Sequence, residues 1–120
     1  MASEPIEGQV LLLTAAKASV PGSRLPGLVA DVQTDLESRL EAYHREYECF
    51  HETDDRLIFL VEWGHWDDLA DRLRLTQREA SAVRRAHEEQ LLRASRRVDR
   101  ETEAETALEI RDPVVIATPD

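Results

Sequence analysis

The stretch RLIFLVEW, residues 56–63, is a strand-length run of mostly apolar side chains. Alternate residues of a strand point to opposite faces. Both faces are apolar here, with Leu57, Phe59, Val61 and Trp63 on one and Ile58 and Leu60 on the other. We therefore expect a strand that is covered on both faces.

Three further runs predict strands. QVLLLTAA, residues 9–16, is apolar almost throughout, which favours a central strand. REYECFHET, residues 45–53, alternates acidic with other side chains, which is typical of an edge strand. ALEIRDPVVIAT, residues 107–118, contains Pro113, which has no N–H for a ladder, so this strand is also expected at an edge.

Two helical segments are expected between these strands. Apolar residues recur at steps of three and four from Val29 to Tyr43, after a Pro26 suited to a first helical turn. A second helix begins near His65 and restarts at Thr76, where TQRE, residues 76–79, has the pattern of a capping box. Its arginine-rich part extends to residue 100. Residues 101–106 are interpreted as a charged linker, flexible like residues 1–8.

The order strand, helix, strand, strand, helix, strand predicts a single α+β domain over residues 1–120. The matching architecture is a ferredoxin-like βαββαβ antiparallel sheet with helices on one face and a long arginine-rich second helix. Such helices leave the other sheet face open. We therefore expect a homodimer that covers this face, in the manner of a dimeric α/β barrel.

Charge is distributed unevenly along the chain. The net charge is −10, and fourteen of the fifteen basic residues are arginine. An acidic, lysine-poor composition is similar to that of haloarchaeal proteins, and a GC-rich genome explains it equally well. Residues 72–100 have the opposite balance, with nine arginines against four acidic residues.

The sequence lacks features that are typical of membrane and secreted proteins. The sequence shows no apolar stretch long enough to span a membrane and no signal-peptide pattern at its start. The single Cys49 can form no internal disulfide. We expect a soluble, cytoplasmic protein that does not interact with a membrane.

Residues 9–75 resemble a known family. An apolar run, VPG, an amphipathic helix, an ETDDR turn, the LIFLVEW strand and a WDDLADRL helix follow one another as in dimeric α/β-barrel domains of the antibiotic-biosynthesis-monooxygenase type. Pro21-Gly22 and Trp63 are the residues that carry the resemblance. That family usually has a histidine in the helix after the tryptophan, and Arg72 occupies the nearest position here. The resemblance therefore implies fold and dimerisation more than chemistry.

Aromatic and histidine side chains supply a candidate ligand site. In a barrel, Tyr47, His51, Trp63 and His65 would surround the cavity, where aromatic rings bind a flat ligand and a histidine moves a proton. A metal site from His51, Glu62 and His65 has no diagnostic spacing, so we expect no metal and no cofactor. The simpler interpretation makes both tryptophans anchors of the core or of the dimer interface.

The arginine-rich helix suggests a second kind of function. LTQRE, residues 75–79, resembles the opening of a LuxR-type helix-turn-helix. The candidate nucleic-acid contacts are Arg84, Arg85, Arg93, Arg96 and Arg97. Continuous helix follows where a turn and a recognition helix would be needed. This favours arginines that pair instead with the acidic first helix and with Glu88 and Glu89.

The sequence as a whole predicts a small ligand-binding or regulatory module that acts as a homodimer. No catalytic residue is assigned, because no catalytic motif is present. The alternatives are a nucleic-acid-associated regulator using residues 76–100 and an oxygenase-like enzyme with a barrel cavity.

Overall fold

The computed structural model describes residues 4–17 and 20–118. These residues form six α-helices, one short 3-10 helix and three β-strands. In chain order the elements are α1 (Gly8–Lys17), the 3-10 helix (Gly22–Arg24), α2 (Leu25–Glu37), α3 (Leu40–Glu46), β1 (Glu48–Glu52), β2 (Arg56–Glu62), α4 (His65–Leu73), α5 (Gln77–Arg97), α6 (Glu101–Leu108) and β3 (Arg111–Ala117). The strands form one antiparallel sheet in the order β1-β2-β3.

β2 is the central strand, and its apolar run is buried from end to end. On one face Phe59 packs against Tyr43 of α3, with ring centroids 5.7 Å apart. On the opposite face Leu60 is 2% exposed and lines a cleft together with Ala107 of α6. Helices of the same chain therefore cover both faces of the sheet, and the open face expected from the sequence does not exist.

The ferredoxin-like prediction is wrong. Residues 9–16 lie in α1, so the sheet has three strands where four were expected. The arginine-rich segment is α5, the fifth of the six described helices, and not the second helix of a βαββαβ unit. Residues 101–106, interpreted as a linker, belong to α6. A dimeric α/β barrel cannot be built on this layout, because it needs a four-stranded sheet with a free face.

α1 shows why its sequence suggested a strand. Val10 and Thr14 are buried, and the helix packs against α5. Leu12 and Leu13 point the other way, with 73% and 53% of their surface exposed. Since both sides of α1 are apolar, the 3.6-residue period that normally identifies a helix is absent from its sequence.

Other predicted elements are confirmed. α2 carries Pro26 in its first turn. The capping box is present: the Thr76 hydroxyl accepts the N–H of Glu79 at 3.1 Å, and the Glu79 carboxylate accepts the N–H of Thr76 at 2.8 Å. β1 and β3 are both edge strands, as the acidic alternation and Pro113 indicated.

β3 has its outer edge closed by side chains. Pro113 contributes no N–H to that edge, and a Pro is tolerated in a strand at such a position. Four backbone groups of the strand bond to helices: the Pro113 carbonyl accepts Nε1–H of Trp66 (3.1 Å), the Val115 N–H donates to Nδ1 of His87 (2.9 Å), the Val115 carbonyl accepts Nε2–H of Gln33 (3.2 Å), and the Ala117 N–H donates to Oε1 of Gln33 (2.6 Å). α2, α4 and α5 are thereby attached to one strand.

β1 protects the opposite edge in a different way. Glu48 and Glu52 place exposed carboxylates along it, and the pairing with β2 shifts register between Cys49 and His51. Arg100 donates to the carbonyl of Phe50 at 2.6 Å. Charges and irregular pairing on an edge strand oppose the addition of another strand.

His87 is expected to make the stability of the protein depend on pH. Its imidazole is fully buried, and burial lowers its pKa from 6.5 to about 3. The unfolded chain therefore binds a proton at pH values where the folded chain does not, so the free energy of unfolding falls as the pH drops from 6.5 toward 3. The slope from this one group is about 1.4 kcal/mol per pH unit.

His87→Gln should therefore have a shallower pH dependence than the wild type over this range. The variant is less stable at neutral pH, because the substitution disturbs a packed site. Urea unfolding at a series of pH values measures both effects. Parallel curves for the two proteins would show that His87 does not titrate in this way.

Candidate functional site

Two of the four predicted ligand residues lie together. The hydroxyl of Tyr47 is 3.5 Å from Nδ1 of His65. The hydroxyl of Tyr43, which the sequence analysis did not select, lies 2.5 Å from Nε2 of the same imidazole. The three rings contact one another, with centroids 5.1 to 5.5 Å apart.

Local structure explains how this Tyr-His-Tyr cluster forms. Tyr43 lies in α3, and Tyr47 is the extended residue that ends the helix, with its N–H donating to the carbonyl of Tyr43. This bond keeps the two residues close together. His65 is the first residue of α4, and Gly64 before it has φ 99°. This left-handed conformation suits glycine, and it turns the chain from β2 directly into α4.

Burial keeps the cluster uncharged at neutral pH. It lowers the pKa of His65, against the opposing effect of the nearby Glu62 carboxylate. It also raises the pKa of Tyr43, which is 3% exposed. A neutral imidazole has one N–H donor and one acceptor nitrogen, so one phenol donates to the ring and the other accepts from it. Both ring nitrogens of His65 thus face phenol groups.

The other two predicted ligand residues lie elsewhere. His51, on β1, lines a small cleft of about 140 Å³ with Arg56 and Arg97. Its pKa is lowered by burial and by the charge of Arg100. Trp63 follows β2 and is 62% exposed, so it is not the core anchor that was considered for it.

Trp66 is the buried tryptophan. It is 4% exposed and meets the ring of His87 edge to face at 4.8 Å. Within residues 4–17 and 20–118, no group of three or more His, Cys, Asp or Glu side chains could hold a metal ion. The site imagined from His51, Glu62 and His65 is therefore not assembled.

The five candidate nucleic-acid arginines all have partners within the chain. Arg97 makes two hydrogen bonds to the carboxylate of Glu7, at 2.7 and 2.9 Å. The others bond as follows: Arg84 to Glu88, with Asp112 at 3.8 Å; Arg85 to the Lys17 carbonyl at 3.2 Å; Arg93 to Gln9; and Arg96 to Glu101. Pairing with Glu88 was expected, whereas the acidic Asp35 of α2 pairs with Arg72 of α4.

A larger cleft lies between α6 and the sheet, with a volume of about 590 Å³. Phe50, Leu60 and Ala107 form a buried apolar floor, and the exposed Ile110 continues it. This cleft was not predicted from the sequence, because residues 101–106 were interpreted as a linker. The signal that was available is the run EAETAL, residues 103–108, in which Ala104, Ala107 and Leu108 recur at steps of three and four.

Two ion pairs form the rim of the α6 cleft. Arg100 holds Glu103 through two bonds of 2.9 Å, and its guanidinium lies 4.0 Å above the Phe50 ring. Arg111 donates to Glu48 at 2.9 Å, and its buried Nε–H has no hydrogen-bond partner among the described residues. The α6 cleft thus combines an apolar floor with two guanidinium groups, one of which has a free buried donor.

A family model described as a domain of unknown function, DUF8048, matches residues 4–118. The chain belongs to the DUF8048 family. No curated protein and no solved structure matches it. Across the described part of this DUF8048 chain, none of the helices is both long and apolar enough to cross a membrane.

Tyr43→Phe tests the Tyr-His-Tyr cluster. Removal of the hydroxyl leaves Nε2 of His65 without its hydrogen-bond partner in a largely buried site, which costs about 1 to 3 kcal/mol of stability. Tyr47→Phe is the matched control, because the Tyr47 side chain is half-buried. Its hydroxyl is 3.5 Å from Nδ1 of His65, which is too long for a strong hydrogen bond. Denaturant unfolding of the two variants measures the difference. Equal losses would contradict the assigned hydrogen bond.

Proposed function

We propose that the protein is a small ligand-binding or regulatory module that acts as a homodimer, with its ligand in the α6 cleft. The volume of the cleft, about 590 Å³, carries the proposal. Sites for small molecules are typically concave, roughly 300 to 1,000 Å³ in volume, and lined by apolar groups with a few polar groups that orient the ligand.

The lining of the α6 cleft favours an amphipathic ligand with an acceptor group, such as a carboxylate or a carbonyl. Phe50 and Leu60 offer buried apolar surface to the body of the ligand. The Nε–H of Arg111 needs an acceptor, because a buried donor without a partner is costly. Glu48 and Glu103 are more than half exposed, so their pairs with arginine are weak and a ligand anion competes with them easily.

The Tyr-His-Tyr cluster is a less suitable ligand site. The hydroxyl of Tyr43 and the imidazole of His65 already bond to each other at 2.5 Å. A ligand would have to replace that bond inside a packed site. The cluster is better explained as an attachment of α3 to the start of α4.

Neither alternative gains support from the geometry. An oxygenase-like enzyme was expected to use a barrel cavity, and helices of the same chain occupy both faces of the sheet instead. The nucleic-acid hypothesis stays a prediction. Its arginines are engaged in contacts within α5 and with neighbouring segments, and the net charge of −10 opposes the approach of a polyanion.

Two variants test the ligand site. Thr106→Phe fills the cleft from an exposed position on α6, and Arg111→Gln removes the guanidinium. Arg96→Gln is the control, because Arg96 also forms an exposed ion pair but does not line the cleft. The assay is a thermal-shift screen of aliphatic and aromatic carboxylates, with calorimetry on the compounds that stabilise the protein.

We expect a compound that binds the wild type and the Arg96→Gln variant equally. Its affinity should fall about tenfold or more in Arg111→Gln, in keeping with the loss of one charge-assisted hydrogen bond. It should fall at least as far in Thr106→Phe, because the added ring occupies the cleft. A compound that binds all four proteins alike would place the ligand site elsewhere, and a screen with no binder would remove the proposal.

A further inference from the structure

The outer side of α1 is an apolar stripe that faces solvent. Leu12, Leu13 and Ala16 are all exposed, and their spacing of one and three residues places them on one side of the helix. Leu12 is the most exposed of the large apolar side chains in the described residues, at 73%. Adjacent exposed leucines on one helix side indicate a contact surface rather than scattered surface residues.

A groove lies on another side of α1. It has a volume of about 340 Å³ and runs between the N-terminal segment, α1 and α2. Its wall includes Leu11, so α1 contributes both to the groove and to the stripe. The apolar lining consists of Pro5, Ile6, Leu11, Pro26, Val29 and Ala30. A cavity of roughly 150 Å³ already accepts benzene, so this groove has room for a leucine side chain.

Charges around the two features are complementary. Lys17, the only lysine of the chain, ends α1, while Glu4 and Glu37 lie at the rim of the groove. In the described parts of the chain, none of these three side chains takes part in an ion pair. A two-fold interface requires each copy to carry both members of every complementary pair, and this chain carries both the basic end of α1 and the acidic rim of the groove.

We propose that α1 and this groove form the interface of a homodimer, in which the leucines of each copy enter the groove of its partner. This inference rests on the proposed function, because it locates the dimer named there. α1 contains no acidic residue. In a chain of net charge −10, such a surface allows two copies to meet with little repulsion.

The other exposed apolar patch is less suited to a second copy. Trp63 and Ile110, at 62% and 68% exposure, come directly after and before the paired residues Glu62 and Arg111, so they lie at one end of the sheet. Glu62 and Glu109 are exposed beside them. A two-fold contact there would bring like charges together, which opposes association.

The expected affinity is modest. Only two large apolar side chains of each copy become buried, and this gain has to offset the cost of association. The dimer should therefore be in equilibrium with the monomer. Sedimentation equilibrium over a series of protein concentrations is the appropriate measurement.

Leu12→Asp should convert the protein to a monomer at every concentration at which the wild type dimerises. It should not alter the thermal melting of the monomer, because Leu12 is exposed. Ile110→Asp is the matched control, with a similar exposure in the other patch, and it should dimerise like the wild type. A monomeric wild type, or a dimer that Ile110→Asp disrupts and Leu12→Asp does not, would overturn the inference.

A charge exchange tests the pairing itself. Lys17→Glu and Glu37→Lys should each dimerise more weakly than the wild type, since like charges then meet at both ends of the interface. An equimolar mixture of the two variants should form a heterodimer, because each copy offers the charge that the other needs. If the mixture associates no better than its components, the two charges do not meet.

Ligand binding separates this inference from the proposed function. The Leu12→Asp variant retains the α6 cleft, so titration of this variant with the compound that stabilises the wild type shows whether the cleft works in a monomer. Failure to dimerise with retained ligand binding would refute only the interface. Loss of ligand binding in an intact dimer would refute only the cleft.

Discussion

The outer edge of β3 is the constraint on which the rest of the structure depends. Strand edges expose backbone groups that need partners, and here three helices supply them through the side chains of Gln33, Trp66 and His87. Each of these side chains is buried, so its polar atoms would be costly to leave unpaired. The edge and the helices therefore stabilise each other. No fourth strand can be added at β3 without breaking these bonds, which is why the sheet stops at three strands.

This arrangement changes where the protein can meet its partners. A sheet with one bare face would associate through that face, but Phe59 and Leu60 are covered by α3 and α6 of the same chain. β1 is protected by carboxylates and by Arg100. The surfaces left for recognition are then helix surfaces and the clefts beside helices. The α6 cleft and the α1 stripe are surfaces of this kind.

Sequence reasoning succeeded where a local rule decides the structure. The apolar run of β2, the prolines at positions 26 and 113 and the capping box of α5 each depend on a few neighbouring residues. It failed for α1, where a helix buried on one side and apolar on the other has no period to detect. It failed for α6 as well, because charged residues between short alanine steps are typical of both a linker and a surface helix. Because α1 was predicted as a strand, both the predicted number of strands and the predicted fold class were wrong.

Only part of the candidate site could be predicted from the sequence, because the local pattern does not reveal every contact. Tyr47 and His65 were selected as aromatic and titratable residues near the sheet, and they do lie together. Tyr43 was assigned to the core face of its helix, and it is indeed 3% exposed. That burial is what makes its hydroxyl the stronger partner of the imidazole. A residue on a core face can thus carry a polar contact that periodicity alone does not reveal.

The arginines of α5 connect the composition of the chain to this architecture. Arg97 binds Glu7 through both of its terminal nitrogens, which is the geometry that a planar guanidinium favours and an ammonium cannot make. The bond to Arg97 and a further bond from Gln90 hold the pKa of Glu7 at about 2, well below its ordinary value. Glu7 immediately precedes α1, so this carboxylate fixes the start of that helix on α5. The carboxylate keeps its charge down to about pH 2, whereas in the unfolded chain it is protonated near pH 4.5. The attachment of α1 is therefore strongest above pH 4.5 and weakens as the pH falls toward 2.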